Sequence, residues 1–225
     1  MHTKNTVKKL FILPFLALFI ASSLSIAAYA LSELSVSVSI SGAGRYISIL
    51  GGDSVAITDT FALDTDAVAF NATALQEVNI GLAADDGYIA VTNPTASAGA
   101  WTLAIAASAP TAKWSNDGAS LFMDFNDADT GADGVDTDTV GGRLTIDMTS
   151  AAVTALGSGG TTGVTSPGDV QSFAEGTKDS ITLMAGGETA EAASAWKLTG
   201  IDFIQIVPAA QAAETYTIDL TLTLT

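Results

Sequence analysis

The sequence predicts an all-β protein: an antiparallel β-sandwich of about ten short strands with jelly-roll or immunoglobulin-like topology, behind an N-terminal signal peptide. Three observations lead to this prediction. Apolar and polar residues alternate with a period of two in many short runs, and Gly, Asp, Asn or Pro separates the runs. No long stretch has the 3.6-residue period of an amphipathic helix.

The strand prediction begins at residues 34–41, where four apolar residues alternate with four serines (LSVSVSIS). This alternation places the apolar side chains on one face of a strand. Gly42 and Gly44 interrupt the pattern and indicate a turn. Further strands are predicted at residues 46–50, 55–58, 77–82, 88–92, 101–106, 120–125, 143–148, 180–184, 201–207 and 216–224.

Evidence for helix is thin: the Ala-rich residues 149–156 and 188–196 are each long enough for a turn or two, but neither has a long 3.6-residue period. Between them, residues 157–163 (GSGGTTG) have the composition of a linker. About three strands are predicted after this stretch, too few for an independent sandwich. We therefore interpret it as a long loop within one domain.

The final strand has the clearest pattern in the chain. Tyr216, Ile218, Leu220, Leu222 and Leu224 face one way, and polar residues, mostly Thr, face the other. Burying each Leu or Ile stabilises the fold by roughly 1.5–3 kcal/mol. The sequence therefore predicts a covered core strand that closes the sandwich.

Residues 1–30 have the form of a secretory signal peptide. Three lysines precede an apolar run, and Ala28-Tyr29-Ala30 has the small-x-small pattern of a cleavage site. Cleavage after Ala30 leaves residues 31–225 as a single β-sandwich domain. The alternative is an uncleaved leader, because residues 10–30 as one helix would be roughly 30 Å long, enough to span a bilayer.

The charge of the processed chain excludes some classes of partner. Residues 31–225 contain all 24 acidic residues and only five basic ones, a net charge of −19. Such a surface repels nucleic acid and anionic lipid, so no nucleic-acid partner is expected, and the membrane is contacted only through the leader before cleavage.

The chain has no Cys, and its one His, His2, lies in the leader. These absences exclude Ser-His-Asp and Cys-His catalysis, and zinc or copper sites built on His or Cys. Glycosidases use two carboxylates held rigidly across a sugar, whereas clustered Asp in a Gly-rich loop is poorly preorganised for that role. We expect a protein that is not an enzyme and requires no cofactor.

Several short motifs, taken in order, resemble the WxL domain of Gram-positive cell-surface proteins. They are residues 89–94 (IAVTNP), 99–103 (GAWTL), 207–210 (VPAA) and the terminal strand, and the resemblance covers about residues 78–225. It implies a secreted β-sandwich held non-covalently on the envelope, in that family by binding peptidoglycan. Leu222-Thr223-Leu224 stands where the family has its second Trp-x-Leu, and another Trp-x-Leu occurs at 196–198, so a divergent relative is indicated.

The three tryptophans are the candidate ligand-binding residues for a wall polymer or glycan, since aromatic faces stack on sugar rings. For Trp101 and Trp196 the alternative is a core position, because apolar strand residues flank them. Trp114 has a turn-like context near Asn116-Asp117-Gly118 and is expected to be the most exposed of the three.

An Asp-rich stretch at residues 124–138 is the candidate metal site. Carboxylate and amide oxygens are the ligands that Ca²⁺ prefers, but the bidentate Glu of an EF-hand loop is missing. The alternative is a solvated hairpin loop. The residues predicted to bind calcium are Asp124, Asn126, Asp127, Asp129, Asp133, Asp136 and Asp138.

Two functions are compatible with these features. The first is a secreted, non-catalytic protein of the cell surface or cell wall that binds a cell-wall polymer or a surface protein non-covalently. The alternative is a homo-oligomer: a subunit of an extracellular filament or matrix. After cleavage the alternating strand at residues 34–40 lies near a free end, and such a strand can complete the sheet of a neighbouring copy.

Overall fold

The described residues form an all-β structure. The computed structural model describes residues 29–32, 34–38, 46–50, 56–57, 60–65, 68–69, 75–81, 88–93, 99–116, 118–127, 140–156, 159–190, 194–212 and 214–225. Over these ranges the chain consists of strands, turns and irregular connections, without a helix. The predicted all-β sandwich class is confirmed.

Short strands make up most of the described chain. In chain order they are β1 (Tyr29–Ser32), β2 (Leu34–Val38), β3 (Tyr46–Leu50), β4 (Ala56–Ile57), β5 (Thr60–Thr65), β6 (Val68–Ala69), β7 (Gln76–Gly81), β8 (Tyr88–Asn93), β9 (Trp101–Ala107), β10 (Lys113–Asn116), β11 (Phe122–Asp124), β12 (Asn126–Asp127), β13 (Gly142–Asp147), β14 (Ala152–Leu156), β15 (Val164–Thr165), β16 (Val170–Ser172), β17 (Ser180–Gly186), β18 (Ser194–Thr199), β19 (Asp202–Val207), β20 (Thr215–Thr217) and β21 (Asp219–Leu224). They outnumber the predicted runs, because several lie where no alternation is visible.

Over their described residues, the Ala-rich stretches 149–156 and 188–196 contain turns and strands and no helix. The first stretch contains β14, and the second runs into β18. These two strands pair antiparallel over five register positions, from Ala152 with Thr199 to Leu156 with Ala195. Pairing with a neighbouring strand outweighs the weak helical preference of a short Ala-rich segment.

The strands assemble into three sheets. The first sheet has the order β11-β10-β20-β1-β6, and the third has the order β14-β18-β8-β3-β4. The large sheet has the order β12-β13-β19-β7-β5-β2-β21-β9-β17-β15, with β16 beside β13. Among the described pairings, two are parallel: β1 with β20, and β2 with β21.

Buried apolar side chains from strands of all three sheets form the core. In β9, Trp101, Leu103 and Ile105 are buried and alternate with half-buried residues, as expected for a strand with one covered face. A single cluster of buried apolar side chains extends from Val78 to Leu224. This cluster supplies the hydrophobic stabilisation that a Cys-free chain must obtain without disulfides.

The linker-like stretch packs on the core where it is described. Gly160 O accepts a hydrogen bond from Trp196 Nε1 at 2.9 Å, and Gly163 has a φ of +74°. A Cβ at Gly163 would lie 2.5 Å from Thr189 Oγ1, so a side chain would fit neither the backbone conformation nor the space. The described part of the loop is therefore attached to the sandwich.

The predicted leader lies outside the described residues except at its end. Tyr29 and Ala30 belong to β1 and pair with Ala69 and Val68 of β6. No helix within the described ranges has the length and hydropathy that a membrane crossing needs.

The packing around Trp101 generates the first prediction. A Cβ built at Gly186 would stand 2.1 Å from Trp101 Nε1, and the indole is only 2% exposed. We expect Gly186→Ala to lower the free energy of unfolding by about 1–3 kcal/mol, the usual effect of overpacking a core, measured by urea denaturation. Gly187→Ala is the matched control, because the nearest atom to its Cβ is 3.7 Å away. Equal losses in both variants would contradict this packing.

Candidate functional site

Trp101 and Trp196 form a buried aromatic pair between two sheets. Trp101 belongs to β9 in the large sheet and Trp196 to β18 in the third sheet. Their ring centroids are 5.5 Å apart with an interplanar angle of 34°. Both side chains are buried. The pair therefore joins two layers of the core, and neither ring presents a free face to a sugar.

Trp114 is also buried, contrary to the exposed position predicted from its turn-like context. It lies in β10 with an exposed fraction of 0%, and its Nε1 donates to Gln205 Oε1 at 2.9 Å. Pairing of β10 with β11 on one side and β20 on the other carries this indole inward. None of the three indoles is exposed, so a ligand-binding role for Trp101, Trp114 and Trp196 stays a prediction that this burial does not support.

Gln205 is a buried polar residue that the sequence reasoning missed. Its Nε2 donates to Asp124 O at 2.9 Å and to Ile206 O at 2.8 Å, while its Oε1 accepts from Trp114. The alternation along the strand does indicate its position, because Gln205 lies two residues from both Phe203 and Val207 and so shares the buried face of β19. A polar residue in the apolar phase of a strand indicates an internal hydrogen-bond network, which here joins the first sheet to the large sheet.

The structure describes three of the seven residues predicted to bind calcium. Asp124 is 2% exposed, and its Oδ2 accepts a hydrogen bond from Lys113 Nζ at 2.7 Å. Asn126 is buried and donates through Nδ2 to Pro110 O at 2.7 Å, and Asp127 is buried at the end of β12. The others lie outside the described residues: Asp129, Asp133, Asp136 and Asp138.

The described end of the Asp-rich stretch holds internal structure together. Asp124 and Lys113 form an ion pair, so removing either one would leave a buried or half-buried charge without its partner. Asn126 is the register partner of Arg143 in β13. Over the described ranges there is no group of three or more His, Cys, Asp or Glu that could hold a metal ion. Calcium binding by the full stretch stays a prediction.

The remaining candidate site is formed by the two ends of the described chain. We call β1 and β2 the N-terminal segment, and β20 and β21 the C-terminal segment. Leu31 and Ser32 pair in parallel with Thr215 and Tyr216, and residues 35–38 pair in parallel with residues 219–222. In the C-terminal segment, β20 lies between β1 and β10, and β21 lies between β2 and β9.

The C-terminal segment is held firmly by the core. Tyr216, Ile218, Leu220, Leu222 and Leu224 are all buried, which confirms the predicted core face of the last strand. The chain passes from the first sheet to the large sheet at Ile218, between β20 and β21. The alternating Thr residues 217, 221 and 223 are half-buried.

Tyr216 anchors the start of this segment through its hydroxyl group. The hydroxyl donates to Ala212 O at 3.1 Å and accepts from Gln211 Nε2 at 2.7 Å. Gln211 Nε2 also donates to Phe122 O at 3.1 Å. Burial, with a smaller contribution from the negative charge of Glu214, raises the pKa of Tyr216, and the hydrogen bond from Gln211 opposes this shift.

Comparison with family models gives no match, and no curated protein matches the chain. Trp101 and Leu103 of the WxL-like motif are buried, as are Trp196 and Leu198 of the additional Trp-x-Leu. The resemblance to that domain stays a prediction.

The hydroxyl of Tyr216 generates the second prediction. Tyr216→Phe removes its two hydrogen bonds, and we expect a loss of about 1 kcal/mol in unfolding free energy at pH 8. The raised pKa means that the unfolded chain releases the phenolic proton first, near its ordinary pKa of 10.0. The contribution of Tyr216 is therefore complete below pH 10 and is lost as the pH rises through its folded pKa.

The measurement is urea denaturation of both proteins from pH 8 to pH 11. The difference between wild type and Tyr216→Phe is expected to shrink above pH 10. A difference that stays constant to pH 11 would show that the hydroxyl does not titrate as the buried site requires.

Proposed function

We propose that this chain is a secreted, non-catalytic structural protein of the bacterial cell envelope, and that it acts by associating with other copies of itself. Support for secretion comes from the leader-like residues 1–30. Support for a structural role comes from the lack of Cys, and of His outside the leader.

The observation that carries self-association is the pairing of the two terminal segments. A strand near the N-terminus lies in parallel beside the last strand, so its place in the sheet depends on backbone pairing between distant parts of the chain. Backbone pairing of this kind tolerates the same strand from a different molecule. An assembly of identical copies is the function that this arrangement supports best.

Non-covalent binding to the cell wall is the second candidate function, supported by the WxL-like motifs. The burial of Trp101, Trp114 and Trp196 removes the aromatic surface that the sequence suggested for this role. A wall-binding surface would therefore have to be built from other residues, such as the exposed Phe122 of β11.

Two measurements on the exported, purified protein separate these functions. We expect electron microscopy of concentrated protein to show filaments or larger ordered particles, and sedimentation with purified cell-wall sacculi to leave most of the unassembled protein in the supernatant. Monodisperse particles that sediment with sacculi would instead support wall binding. Monodisperse particles that do not sediment would contradict both functions.

A further inference from the structure

We infer that the exchangeable unit is the part of the N-terminal segment from Leu31 to Val38, and that it pairs with the C-terminal segment of a second copy. This inference rests on the proposed self-association and identifies the segment that joins the copies. The partner is another molecule of this chain, and the bonds are backbone hydrogen bonds along β20 and β21.

The first support is one continuous register. The pairs run from Leu31 with Thr215 to Val38 with Leu222, and the sequence separation is 184 residues in every pair. Both segments pass from the first sheet to the large sheet. The N-terminal segment does so between β1 and β2, and the C-terminal segment does so between β20 and β21. The described pairs therefore keep one register across two sheets, which makes residues 31–32 and 34–38 the docking unit.

The second support is the slot that this unit occupies. On the side away from β21, residues 34–37 pair antiparallel with residues 60–63 of β5. Both walls of the slot belong to the chain beyond the link at residues 39–45. An identical segment from a neighbouring copy presents the same backbone donors and acceptors to both walls, so it can fill the slot in the same register.

The third support is the position of the predicted cleavage site. The bond between Ala30 and Leu31 lies inside β1. Cleavage there removes Tyr29 and Ala30, which make the pairs with β6, and retains every pair with the C-terminal segment. Processing therefore releases one attachment of the N-terminal segment and leaves its docking unit complete.

Donor and acceptor are different surfaces of one chain, so successive exchange produces an open head-to-tail assembly, and reciprocal exchange produces a closed dimer.

The test uses the absence of native cysteine. Ser37 and Thr221 are register partners, so two single-cysteine variants, Ser37→Cys and Thr221→Cys, place one thiol on each side of the pairing. The full chains are exported, purified, unfolded together in equal amounts, refolded and mildly oxidised, with a mass tag on one variant. We expect a disulfide-linked heterodimer on a non-reducing gel.

The matched control replaces Thr221→Cys with Thr182→Cys. Thr182 lies in β17, which is separated from β21 by β9, so its thiol is at least two strand spacings from the pairing site. This control mixture should lack the heterodimer. Equal yields of heterodimer in the two mixtures would show that the disulfides form by random collision of thiols, and would overturn the inference.

The double variant Ser37→Cys/Thr221→Cys completes the test. When its disulfide closes within one chain before concentration, we expect the assemblies seen by electron microscopy to disappear, and to return after reduction and refolding. Assemblies that persist with the intrachain disulfide closed would overturn strand exchange while leaving self-association through another surface intact. Monodisperse wild-type protein would contradict the proposed function itself.

Discussion

The parallel pairing of the two terminal segments is the constraint that closes the fold. A tight turn cannot join parallel strands, so the chain between them must supply the crossover, and here that crossover contains every strand from β3 to β19. Closing so long a connection carries a larger entropy loss than closing a hairpin. The pairing closes the sandwich, and it is the contact that the proposed exchange of the N-terminal segment would transfer to another copy.

Specific side-chain contacts determine how the core packs, whereas the terminal pairing is made by backbone hydrogen bonds. Trp101 and Trp196 fill the space between the large and third sheets, while Gln205 connects Trp114 to the backbone of Asp124. Each of these contacts needs one particular partner, so the layers pack in one arrangement. Such a core would keep its packing if the paired strand came from another copy, which is what the proposed exchange requires.

The sequence predicted those features that depend on local alternation. Every second residue from Tyr216 to Leu224 is apolar, and this alternation correctly predicts the buried face of the last strand. β3 has the same bounds as its predicted strand. Features that depend on partners far along the chain escaped prediction. β14 and β18 become strands through pairing with each other, and Trp114 is buried because two neighbouring strands and Gln205 surround it. The parallel register of the terminal segments has no local signal, since it joins residues 184 positions apart.

Hydrogen–deuterium exchange followed by mass spectrometry of the purified protein tests the terminal pairing most directly. The account predicts that amides in residues 34–38 exchange slowly, at rates comparable with those of β9, because β5 and β21 flank them on both sides. This result is expected whether the paired strands belong to one copy or to two. Exchange of residues 34–38 at the rate of an unstructured peptide, beside a protected β9, would contradict it.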